Sequence, residues 1–102
     1  MPDMGSVMSA RKLEDVIADL SAEHDDLTIY ATEPSTCDSD AVVAREPMNG
    51  GAPREAKAKG AVYFIEVFIA KEFLRRWSAA KGRGSSTRQR CERLIHYAIH
   101  DA

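Results

Sequence analysis

One ten-residue segment constrains this chain more than any other. Gly60 is followed by Ala61-Val62-Tyr63-Phe64-Ile65-Glu66-Val67-Phe68-Ile69-Ala70, an apolar run interrupted only by Glu66. It falls well short of the roughly 18 to 20 residues that a membrane-crossing helix needs, so its surface has to be covered by other parts of the fold. Its far end enters a helical stripe, because Ile69, Ala70, Phe73, Leu74, Trp77 and Ala80 share one side, opposite Lys71, Glu72, Arg75 and Arg76. Phe64 and Phe68 do not fit that stripe. On a strand, Tyr63, Ile65 and Val67 share one face while Val62, Phe64 and Glu66 share the other. The segment therefore reads as a strand over 62–67 passing directly into a helix over 69–81.

The remaining elements follow from changes of period. Leu13, Val16, Ile17 and Leu20 stand at i, i+3, i+4 and i+7, which predicts a helix from Ser9, as N-cap, to Glu23. Leu27, Ile29 and Ala31 then alternate with Thr28, Tyr30 and Thr32, the period of a strand with one covered face. Residues 33–40 read as a loop, 41–45 as a short strand, and 46–53 as a long turn containing Asn49-Gly50-Gly51. Arg54 to Lys59 suits one or two helical turns stopped by Gly60. Ser86 and Gln89 have capping-box spacing and start a last helix over 87–100, with Cys91, Leu94, Ile95, Ala98 and Ile99 facing inward. The expected fold is α+β: a small antiparallel sheet of about three strands covered by the N-terminal helix and the two C-terminal helices. With 102 residues, one domain is expected, its first eight residues flexible.

Composition narrows the function classes. Hydrophobic residues make up 44% and charged residues 29%, which suits a folded domain and no disordered or fibrous class. The first dozen residues, MPDMGSVMSARK, lack the apolar core of a secretory signal, which leads to the expectation of a cytoplasmic protein. Cys37 and Cys91 allow one bridge at most, and a reducing compartment would keep both as thiols.

Little in the sequence points to catalysis. It contains no G-x-S-x-G, no phosphate-cradling glycine loop and no H-E-x-x-H, so neither a cofactor nor a nucleophile is expected. Glu66, flanked by Ile65, Val67 and Phe68, is the one carboxylate with an environment suited to a raised pKa, but it has no companion base or nucleophile. Glu92, His96 and His100 follow one another at i, i+4, the only metal-like spacing. Cys91 points away from them toward the core, and histidines in the last turn of a helix are favourable there without a metal. No metal site is therefore assigned.

Charge is unevenly distributed. The net charge of -2 conceals 12 acids against 4 bases in residues 1–56 and 4 acids against 10 bases in residues 57–102. Lys71, Arg75, Arg76, Lys81, Arg83, Arg88, Arg90 and Arg93 fall on two consecutive helices and their link, and Tyr97 shares a helical face with Arg90 and Arg93. Such a face could hold phosphates of a nucleic acid, although the pI of 5.9 lies far below that of most dedicated nucleic-acid-binding domains. The acidic loop with Asp38 and Asp40, beside Tyr30 as an aromatic anchor, suits a basic protein partner. The candidate binding surface therefore comprises Tyr30, Asp38, Asp40, Glu66, Arg75, Arg76, Arg88, Arg90, Arg93 and Tyr97. A protein partner is expected, with nucleic acid as the alternative and no membrane.

The segments DDLTIYATEPSTCDSDAVV, YFIEVFIAKEFLRRW and CERLIHYAIHDA together resemble a family of small uncharacterised bacterial proteins, some of which have been considered candidate immunity or stress-associated proteins. The resemblance carries no catalytic signature and transfers no site residue. It implies a bacterial, cytoplasmic and non-enzymatic protein, with an immunity-like inhibitor as one form.

Overall fold

A computed structural model describes residues 11–81 and 85–100. Four strands, β1 (Arg11–Lys12), β2 (Thr28–Thr32), β3 (Asp40–Ala44) and β4 (Ala61–Glu66), form one antiparallel sheet in the order β1-β3-β2-β4. Four helices accompany them: α1 (Leu13–Ala18), α2 (Arg54–Lys59), α3 (Val67–Lys81) and α4 (Thr87–His100), with a 3-10 turn at Leu20–Ala22. The expected α+β class holds, with one additional strand.

The first helix is shorter than its periodicity suggests. Arg11 and Lys12 pair with Ala41 and Asp40 on the edge of β3, so α1 starts only at Leu13, whose amide bonds to the Ser39 carbonyl. Its capping role for Ser9, the flexibility of residues 1–8, and Arg83 all lie outside the described residues. At the C-terminal end the capping box forms as expected: the Ser86 amide donates to Gln89 Oε1 at 2.8 Å and the Gln89 amide donates to Ser86 Oγ at 3.1 Å.

Strand order determines where the helices go. Both β3 and β4 run antiparallel to β2, so they are parallel to each other and need a connection that crosses over β2. That connection is α2. It covers the sheet face that carries Tyr30 and Val42, and Ala56 and Ala61 complete the small core there. The opposite face, with Ile29, Ala31, Ala41 and Ile65, is covered by Leu13, Val16 and Ile17 of α1, Ala70 and Leu74 of α3, and Cys91 and Leu94 of α4. Helices thus lie on both faces.

A bulge changes the faces of β4. Ile65 pairs with Ile29 and Tyr63 with Tyr30, which leaves Phe64 as an extra residue between them. Phe64 and Ile65 consequently both enter the main core, where simple alternation places them on opposite faces. Tyr63 and Val62 remain exposed.

Candidate functional site

The residues singled out in the sequence do not gather into one surface. Tyr30 is 1% exposed, because the α2 crossover roofs its face of the sheet, and it offers no anchor to a partner. Its hydroxyl is enclosed without a well-formed hydrogen bond among the described residues; burial raises its pKa, assisted by the negative charge of Glu46 and partly offset by the Thr28 side chain. Asp40 is exposed on β3, opposite Lys12 of β1. Asp38 does not reach outward freely: Arg88 Nη2 donates to its carboxylate at 3.2 Å and to that of Glu14 at 3.1 Å.

This arrangement joins the two oppositely charged parts of the chain. Lys71 Nζ likewise donates to Asp25 and to the Glu23 carbonyl, each at 2.7 Å. Arg75 is held by Glu72 at 2.6 Å, while Arg76 stands 3.7 Å from the same carboxylate. Arg90 and Arg93 line different grooves, the first beside Leu74 and Ser78, the second beside Trp77 and His96. Tyr97 stacks on Phe73 at 4.4 Å between centroids, so its ring is engaged within the α3–α4 pair. No continuous basic face results from these residues.

The histidines of the metal-like spacing touch each other, with His96 and His100 rings 4.4 Å apart. Among the described residues no group of three or more His, Cys, Asp or Glu side chains is arranged to hold a metal ion. No described helix is long and apolar enough to cross a membrane. Cys37 and Cys91 are both buried thiols, and Cys37 Sγ lies 3.8 Å from the Arg88 carbonyl at the first turn of α4. Burial pushes the Cys91 thiol far up, and the neighbouring Cys37 adds to the rise.

The remaining feature is the edge at β4, built directly by the segment that dominates the sequence. Gly60 closes α2 in the left-handed conformation, φ 74°, and turns the chain into Ala61. From there β4 pairs with β2 on one side, and no other described strand pairs with its outer side. An edge of this kind presents a row of N-H and C=O groups that an extended chain can pair with. Beside it stand Val62 at 42% exposure, Tyr63 at 52% and, just past the strand, Phe68 at 52%. The strand carries no Lys, Arg or Pro, the residues that most often blunt such edges, and its one charge is the exposed Glu66 at its end. Tyr63 has a raised pKa, through partial burial first and then the charges of Glu66 and Glu46. Of the residues named from the sequence, only Glu66 belongs to this edge. Val62, Tyr63 and Phe68 were missed because an apolar run reads as core until strand order shows which strand is outermost.

Comparison with protein-family models, with curated proteins and with solved structures found no match for this chain.

Proposed function

We propose that the protein is a small, non-enzymatic, cytoplasmic binding module that recognises another protein by accepting an extended segment along the outer edge of β4. The observation that carries this reading is the outer edge of β4, six residues long, with no partner strand among the described residues and flanked by the exposed side chains of Val62, Tyr63 and Phe68. Backbone pairing would supply much of the affinity, and alternate side chains of the added strand would rest on Val62 to one side and Tyr63 to the other. Glu66 and Glu46 put negative charge beside Tyr63, which suits an apolar segment that carries a Lys or Arg. An immunity-like inhibitor would be one protein of this kind. The nucleic-acid alternative has less support, since Arg88 is occupied by two carboxylates and Arg75 by a third.

The test compares wild-type protein with the double variant Val62→Lys, Tyr63→Lys, two exposed positions where lysine guards the edge without entering the core. Affinity capture from the native cell, with the captured protein then purified and titrated, should give saturable binding that the double variant loses and Arg93→Ala keeps. Amide exchange should slow along 61–66 in the complex. Equal binding by the double variant would sink the reading, as would a concentration-dependent dimer that only wild type forms, because the edge would then belong to a second copy.

A further inference from the structure

The two cysteines of the chain come together although all of β3, α2, β4 and α3 lies between them in sequence. Cys37 belongs to the loop before β3 and Cys91 to α4, and both enter the main core. The loop is pinned at this point: the Glu14 amide donates to the Cys37 carbonyl at 3.0 Å, and the Leu13 amide to the Ser39 carbonyl at 2.8 Å. Cys37 Sγ in turn meets the Arg88 carbonyl at 3.8 Å, one helical turn before Cys91 and therefore on the same side of α4. After burial, Cys37 is the largest cause of the raised pKa of Cys91, because the two side chains stand directly beside one another. The bond of about 2 Å in a disulfide is within reach of side-chain rotation between neighbours held so closely.

We propose that Cys37 and Cys91 form a reversible disulfide, closed by exchange with a low-molecular-weight disulfide such as oxidised glutathione, that latches the loop before β3 onto α4. The structure shows the open, dithiol state. Cys37 is the end that reacts first, since it lines a groove of about 280 Å³ together with Arg88, Glu92 and Ile95, whereas Cys91 is fully buried beneath. Because Cys37 is itself only 3% exposed, exchange proceeds while its loop lifts or before the chain has folded. The Cys37 thiolate attacks one sulfur of oxidised glutathione, giving a mixed disulfide and expelling one glutathione thiolate; the Cys91 thiolate then attacks Cys37 Sγ and expels the second. Two electrons pass from the protein to glutathione, and the two thiol protons end on the released thiolates. The closed latch suits its surroundings better than a mixed disulfide does, since it is apolar and needs no room beyond the two side chains. The S-H donors that it removes are weak ones. The latch is independent of the β4 edge, and either can fail without the other.

The experiment measures the exchange equilibrium of the full chain with glutathione, once after refolding from urea into native buffer and once in concentrated urea, where both thiols are open. Acid quenching and mass spectrometry separate the reduced, mixed and intramolecular forms. A fold that holds the sulfurs together should raise the effective concentration of one thiol towards the other by about tenfold or more over that in urea. By the same cycle the oxidised protein should melt at a higher temperature than the reduced one, and dithiothreitol should reverse the shift. Cys37→Ser and Cys91→Ser should each lose the glutathione-dependent shift, and the wild-type comparison stands by itself should either variant fail to fold. An effective concentration no higher in the folded chain than in urea, a disulfide that lowers the melting temperature, or oxidation that ends in mixed disulfides or cross-linked dimers would each overturn the latch.

Discussion

Arg88 sets a single Nη2 nitrogen between two carboxylates, 3.1 Å from Glu14 on α1 and 3.2 Å from Asp38 in the loop before β3. The basic C-terminal region therefore spends its most central cation on the acidic N-terminal one. Both carboxylates raise the pKa of the guanidinium, with Glu14 the largest cause, so charge attraction is what this contact contributes. Since Arg88 is about half exposed, the attraction is open to screening. Arg88→Gln should lower the melting temperature modestly in dilute buffer, and the difference should vanish near 1 M salt, where the screening length falls to about 3 Å. Thermal melts of both proteins across a salt series check this.

The buried thiols give a second expectation. Cys37 is 3% and Cys91 0% exposed, and the raised pKa of Cys91 keeps it protonated. Iodoacetamide should leave both unmodified in the folded protein at about pH 8 and label both in denaturant. The sign for stability follows from the raised pKa. An acid whose folded value lies above its ordinary 9.0 contributes its full stabilisation below that value and loses it as pH climbs beyond. Cys91→Ala should flatten that alkaline decline, measurable by denaturant unfolding across the pH range.

Tyr30 provides a third. Its enclosed hydroxyl has the Thr28 side chain beside it and no well-formed hydrogen bond among the described residues, so Tyr30→Phe removes a poorly compensated polar group while keeping the ring that fills the space under α2. Stability should stay level or rise by up to about 1 kcal/mol. Because the tyrosine pKa is also raised, wild type should lose stability above its ordinary value of 10.0, and the Phe variant should lose less.

Gly60 gives a fourth. Beyond its two chain neighbours, no atom of the described residues lies within 4 Å of where a Cβ would stand, so the cost of Gly60→Ala comes from the backbone at φ 74°. A loss of about 1 to 2 kcal/mol is expected in denaturant melts.

Periodicity made part of this fold legible. The alternation in β2, the capping box at Ser86 and Gln89, and the glycine stop at Gly60 each depend on residues near one another in sequence, so local chemistry reveals them. What stayed hidden depends on neighbours. Arg11 and Lys12 are two charged residues that become a strand only because β3 offers them an edge. The pairing of Phe64 with Ile65 on one face becomes visible only against the register of β2. Alternation shows that Tyr30 points away from Ile29, but not that a helix crosses on that side. The candidate site was the least legible, since an exposed edge is a property of strand order and not of any residue.

The crossover through α2 also bears on how the chain acquires its structure. Ala61 meets Thr32 only after α2 has passed over β2, so the central strand gains its second neighbour across a long closed loop. A nascent chain that has emerged only as far as Ala44 can form the β2–β3 hairpin but leaves Tyr30 without α2 over it and Ile29 without β4, α3 and α4. The layer around Tyr30 closes once α2 and Ala61 are in place, whereas the layer around Ile29 stays open until α3 and α4 have been made, and during that interval Ile29 is what a chaperone would meet.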